Sequence, residues 1–141
     1  MYLKLLDAVI AANSPPSGAT AGVSLRHRSL GNQGYWRGKN DGVILVKSTA
    51  GSGTMTVTLR VWCYSPLTTV WHPLGSNATE ATRGVLNGGN AIDEDGADTL
   101  VHAEPITGLG AFTRIYLEVT AIGGTNTAVS SWLTTVDDGA L

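Results

Sequence analysis

The sequence predicts an all-β fold: a single antiparallel β-sandwich, jelly-roll-like, with about eight strands and one long loop. Three observations carry that expectation. Several segments alternate apolar and polar residues with the period of two that a half-buried strand requires. Clusters of Gly, Pro, Asn and Ser separate those segments at fairly regular spacing. No stretch carries the 3.6-residue apolar period over the length of an amphipathic helix. At 141 residues the chain is one domain, 1–141. By surface scaling it buries roughly two-thirds of its extended surface, enough for a core without disulfide or metal staples.

Residues 1–12 have an ambiguous period. Leu3, Leu6 and Ile10 fit a helix face, whereas Leu3, Leu5, Val9 and Ala11 fit one strand face apart from Asp7. A strand is the reading adopted. Asp7 interrupts the apolar run and only Lys4 flanks it, so the segment reads as mature structure and not as a secretion signal. The turn cluster Asn13-Ser14-Pro15-Pro16-Ser17-Gly18 ends it, and residues 1–18 can serve as an N-terminal arm.

Residues 21–30 form a weak strand in which Val23 and Leu25 alternate with Ser24, Arg26 and Arg28. The clearest strand spans 54–64, TMTVTLRVWCY. It places Met55, Val57, Leu59, Val61 and Cys63 on one face and Thr54, Thr56, Thr58, Arg60, Trp62 and Tyr64 on the other. The β-branched run 43–46 precedes it, and the Ser, Gly and Thr residues between suggest a hairpin. A second hairpin is expected from 114–121 and 127–135 around Gly123-Gly124-Thr125-Asn126, with Ile115, Leu117, Val119 and Ala121 facing one way. Residues 70–74 and 99–106 are weaker strands. Between them lies the longest loop, 75–98, in which 83–86 could form a helical turn; a loop of this length in a compact domain suggests an arm reaching a neighbour.

Composition bounds the function. Charged residues are 14% of the chain, against about 25% in typical soluble domains. So sparse a charge points to a surface covered by other copies or by a partner. The net charge of −2 argues against nucleic acid as a main partner, despite the small clusters Arg26-His27-Arg28 and Arg37-Gly38-Lys39. No run of 18 apolar residues suggests a membrane span. One cysteine excludes an internal disulfide.

No catalytic, cofactor or metal residues are assigned, and an enzyme is not expected. Cys63 lies on an apolar face, where a thiol acts as a small hydrophobe. His27, His72 and His102 lack metal-ligand spacing, although His102 and Glu104 share a strand face and could couple as a proton-active pair. The acidic stretch Asp93, Glu94, Asp95 and Asp98 offers hard oxygens for calcium, but Gly96 falls fourth where an EF-hand needs it sixth, so a solvated turn is the expectation. Asn77-Ala78-Thr79 matches a glycosylation acceptor, which matters only in a secreted eukaryotic protein.

Aromatic placement is more informative. Arg60, Trp62 and Tyr64 share the polar face of one strand, and Arg114, Tyr116 and Glu118 that of another; these six are the candidate interface residues. Protein interfaces enrich Trp, Tyr and Arg because they bury large area with few rotors lost. Trp36, Trp71 and Trp132 could extend the patch. The same aromatics could stack on sugar rings, or be covered by the chain's own loops.

The run 113–129, TRIYLEVTAIGGTNTAV, together with Val61-Trp62-Cys63-Tyr64-Ser65 and Trp71-His72-Pro73-Leu74-Gly75, resembles small β-rich structural proteins of tailed bacteriophages and prophages. The resemblance covers roughly residues 40–135 and implies a virion component, assembled in the bacterial cytoplasm, with no catalytic residues to carry over. The expected function is a capsid decoration or cement protein. It would multimerise, as a trimer, and bind the major capsid protein or another virion protein. A tail, head–tail junction or fibre-base component is one alternative, and a carbohydrate- or receptor-binding module is another.

Overall fold

A computed structural model describes residues 2–25, 40–49, 52–75, 77, 79–94, 99–125 and 128–135. Among these residues nine strands run in chain order: β1 Tyr2–Val9, β2 Val23–Ser24, β3 Gly42–Thr49, β4 Ser52–Ser65, β5 Val70–Pro73, β6 Ile92–Glu94, β7 Thr99–Ile106, β8 Arg114–Thr125 and β9 Ala128–Thr135. They form two antiparallel sheets. The first has the order β1-β9-β3-β7; the second has β2-β8-β4-β5, with β6 also paired to β4. Setting the three-residue β6 aside, the chain steps from one sheet to the other at nearly every connection, which is the wrapping of a jelly roll.

The interior is built by the alternation seen in the sequence. Met55, Val57, Leu59, Val61 and Cys63 of β4 are all buried, facing Ile44 and Val46 of β3, Leu100 of β7, and Val129 and Leu133 of β9. Ile115, Leu117 and Val119 of β8 complete the second sheet's inner layer.

Both expected hairpins are corrected. β3 pairs with β7 and β9, β4 pairs with β8, and β8 and β9 lie in different sheets. Each of these strands has an apolar face, and such faces bury equally well across the sandwich or side by side in a sheet; alternation alone does not choose. The inward placement of Ala121 is also corrected. Register between β4 and β8 slips between Thr58 opposite Ala121 and Leu59 opposite Val119, leaving Thr120 as an extra residue. Beyond this bulge the alternation inverts, so Ala121 is exposed and Ile122 packs against the core.

Each of the two segments expected to reach neighbours also pairs in part with its own chain. β1 pairs with β9, and Asn13 continues along β8, its side-chain Oδ1 accepting the Val119 N–H at 2.6 Å and its backbone N–H donating to the Val119 carbonyl at 3.1 Å. Along 75–94, Val85, Leu86 and Ile92 are buried, and backbone hydrogen bonds join Val61 N–H to Gly84 and Leu86 N–H to Leu59. The apolar anchors Val85, Leu86 and Ile92 make this a covering flap. Arg83 to Leu86 does not form the expected helical turn: Val85 makes a bridge opposite Arg60, and the 3-10 turn falls at Asn87–Gly89.

Candidate interaction faces

The six predicted interface residues do share one face. Register sets Arg60 opposite Glu118, Trp62 opposite Tyr116 and Tyr64 opposite Arg114, all on the outside of the second sheet. Their own chain covers much of that face. The Trp62 indole N–H donates to Glu118 Oε1 at 2.8 Å, and Glu118 is only 6% exposed. Arg60 stands 5.7 Å from the Trp62 ring centroid and donates to the Ala81 carbonyl. Arg114 donates to the carbonyls of Thr20, Ala21 and Gly22, while the Tyr116 hydroxyl donates to the Ser14 carbonyl at 2.8 Å.

Residues 13–22 therefore form a strap across the aromatics. Trp71 lies between Tyr64 and Tyr116, with ring centroids 5.4 and 6.2 Å away, and its indole donates to the Gly18 carbonyl at 2.9 Å. These are tilted and edge contacts, the geometry in which aromatic rings satisfy one another. Burial, and then the Glu118 carboxylate, raise the Tyr116 hydroxyl above its ordinary pKa.

The outside of the first sheet is different. Register places Tyr2, Thr134, Val43 and Pro105 in one row across the strands, and Lys4, Trp132, Leu45 and Ala103 in the next. Ser130, Lys47 and Val101 make a third row. Tyr2 is 66% exposed, Val101 69% and Leu45 38%. Lys4 pairs with Asp7 at 2.9 Å and lies 5.8 Å from the Trp132 ring centroid.

Trp132, expected as an extension of the second sheet's patch, lies on this face instead. The available signal was that residues 43–46 are apolar at both parities, so a strand with Ile44 and Val46 in the core must also present Val43 and Leu45 outward.

His102 and Glu104 come together on the edge strand β7, with His102 Nε2 2.8 Å from Glu104 Oε1. The same oxygen accepts the Asn87 N–H at 2.8 Å, so the pair fastens the covering flap to the sheet edge. Beside it a cavity of about 510 Å³ lies among Leu74, Asn77, Val85, Glu104, Ile106 and Thr107. The Asn77 amide donates to the Thr82 and Val85 carbonyls, shaping the flap. The His72 ring lies 2.6 Å from Thr68 Oγ1, closing the turn between β4 and β5.

Burial pushes the Cys63 thiol up to about 12. Among the described residues no three His, Cys, Asp or Glu side chains gather as a metal site. Nor is any helix there long and apolar enough to cross a membrane. Arg26, His27, Arg28, Trp36, Arg37, Lys39, Asp95 and Asp98 lie outside the described residues. Compared with family models, curated proteins and solved structures, the chain finds no match.

Proposed function

We propose that the protein is a structural subunit of a phage virion: a capsid decoration or cement protein that multimerises and binds the major capsid lattice. The observation that carries this reading is the first sheet's outer face, where Tyr2, Leu45 and Val101 stand in water on a chain only 14% charged. Contiguous exposed apolar area of this kind marks a protein–protein surface. The jelly roll serves viral capsid domains and lectins alike, so the fold supports the reading without selecting it.

Stabilisation would follow from mass action. A subunit that binds only the assembled shell at a hundred times its Kd adds about 2.7 kcal/mol per site. Co-sedimentation of the purified protein with empty capsids tests this. Retention in the pellet, with a raised melting temperature of the shells, is the expected result; a protein that stays in the supernatant overturns it. A tail, head–tail junction or fibre-base subunit would use the same surface chemistry, and copy number per virion separates it from a decoration protein. The carbohydrate-binding alternative is disfavoured because Tyr64, Trp71 and Tyr116 pack on one another and the strap.

A further inference from the structure

We infer that the cavity beneath the covering flap is a binding site for a primary aliphatic amine, its ammonium group on the Glu104 carboxylate and its alkyl chain against Leu74, Val85 and Ile106. This goes beyond the virion reading and stands or falls without it.

The cavity follows from how the flap is fastened. The flap is hydrogen-bonded to the second sheet through Leu59 and Val61 of β4, whereas its Asn87 N–H reaches Glu104 Oε1 on β7 of the first sheet. Between these two attachments it spans from one sheet to the other, and a space of about 510 Å³ remains between the flap and the end of β7. Volumes of about 300–1,000 Å³ are those of small-ligand sites.

The lining grades from apolar to polar. Val85 and Leu86 are buried and Leu74 and Ile106 half-buried, which gives an aliphatic floor. Glu104 is half-buried, and Gly88 and Thr107 are exposed, so the carboxylate belongs to the rim. A ligand matched to this gradient carries an apolar chain for the floor and a polar head for the rim.

The polar groups then select the sign of that head. Both contacts of Glu104 fall on Oε1: the Asn87 N–H at 2.8 Å and His102 Nε2 at 2.8 Å. A neutral His102 donating through Nε2 leaves the carboxylate its full negative charge and leaves Oε2 for a ligand. Among the described lining residues there is no Lys or Arg; Arg83, on the same flap, is exposed and outside the lining. Asn77 acts in the same sense. Its Nδ2 is committed to the Thr82 and Val85 carbonyls, which fixes Oδ1 as the acceptor end of the amide. The Thr107 hydroxyl donates to Asp41 Oδ1 at 2.7 Å, which sets a second carboxylate beside the rim. An ammonium head is therefore matched and an anionic head repelled. Its hydrogen bond to Glu104 is charge-assisted, about twice as strong as a neutral one.

The test is titration of the isotope-labelled full-length protein with hexylamine, hexanol and hexanoate at about pH 8, where an imidazole is ordinarily neutral. Hexylamine should shift the amide resonances of Val85, Leu86, Asn87 and Glu104 saturably, with a Kd of about 1 mM or tighter for a ligand of this size. Hexanol should bind at least about tenfold more weakly, and hexanoate should not bind. Propylamine, with a shorter chain, should lose about fourfold in affinity for each methylene removed. Glu104→Gln, which keeps an acceptor oxygen, should abolish the preference for the amine over the alcohol while leaving hexanol's affinity unchanged.

No saturable shift at ten times the expected Kd, hexanoate binding as well as hexylamine, no dependence on chain length, a Glu104→Gln variant that keeps the preference, or one that loses amine and alcohol together would each overturn the inference. The last outcome would leave Glu104 only as the fastening of the flap. Should Glu104→Gln fail to fold, the four ligands on the native protein still decide. Neither result bears on co-sedimentation with shells, so the virion reading and the amine site fail separately.

Discussion

Glu118 takes its hydrogen bond from Trp62, on the neighbouring strand, although its direct cross-strand partner is Arg60. Arg60 instead donates to Ala81 and lies over the Trp62 ring. Trp62 thus serves both charged groups, one through its N–H and the other through its face. Trp62→Phe keeps the ring but leaves a buried carboxylate without its donor, so it should cost about 1–3 kcal/mol in denaturant unfolding. Glu118→Gln, which retains an acceptor oxygen, should cost less. Equal losses for the two variants would show that this hydrogen bond is not what matters.

Asn13 should hold the strap. Its side chain replaces a missing strand residue beside β8, accepting the Val119 N–H and donating to the Leu117 carbonyl at 3.4 Å. Asn13→Ala is expected to cost about 1–3 kcal/mol, because the Val119 N–H loses its acceptor. Hydrogen exchange should quicken selectively at residues 13–22. Unchanged exchange there would assign the strap's docking to Arg114 and Tyr116.

Alkaline pH should destabilise the fold. Cys63 keeps its proton to about 12 when folded, against 9.0 when free, and Tyr116 is raised from 10.0. Both groups bind the proton more tightly in the native state, so their contribution is complete below these free values and is lost as pH rises past them. From Cys63 the slope approaches about 1.4 kcal/mol per pH unit between 9 and 12. Cys63→Ala should flatten the stability profile in that window, as urea melts across pH would record. Native protein at pH 8 should also resist thiol reagents until it unfolds.

Gly84 should tolerate no side chain. Its φ is +79°, and a Cβ there would lie 2.9 Å from both the Pro73 Cβ and the Val61 carbonyl oxygen. That carbonyl accepts the Leu74 N–H, and Gly84 itself accepts the Val61 N–H, so the clash cannot relax without opening the flap. Gly84→Ala should cost at least about 1–3 kcal/mol by thermal melting, whereas Gly18→Ala, with open space around it, should cost only its backbone strain.

The inner faces were legible because period two survives in a single sequence: every inward residue expected of β4 is buried, and so are Ile115, Leu117 and Val119. Ala121 misled because a bulge inverts parity without any proline or glycine at Thr120 to announce it. Strand pairing was less legible, since Val43, Val57 and Ile115 carry no mark of which sheet they join. The six polar-face residues do lie together, but the strap that holds Arg114 and Tyr116 comes from about a hundred residues earlier in the chain, at Ser14 and residues 20–22. Such long-range cover leaves no trace in local alternation. The first sheet's outer face was missed because an exposed Leu45 and a buried Ile44 read alike as strand apolar residues.

β9, the last described strand in chain order, lies between β1 and β3 in the first sheet. A nascent chain that has emerged only as far as β8 has no partner for β1 and leaves one side of β3 bare. Closure of the first sheet must therefore wait for β9 to emerge. Low charge and unpaired strand edges make that interval the period in which a chaperone matters most.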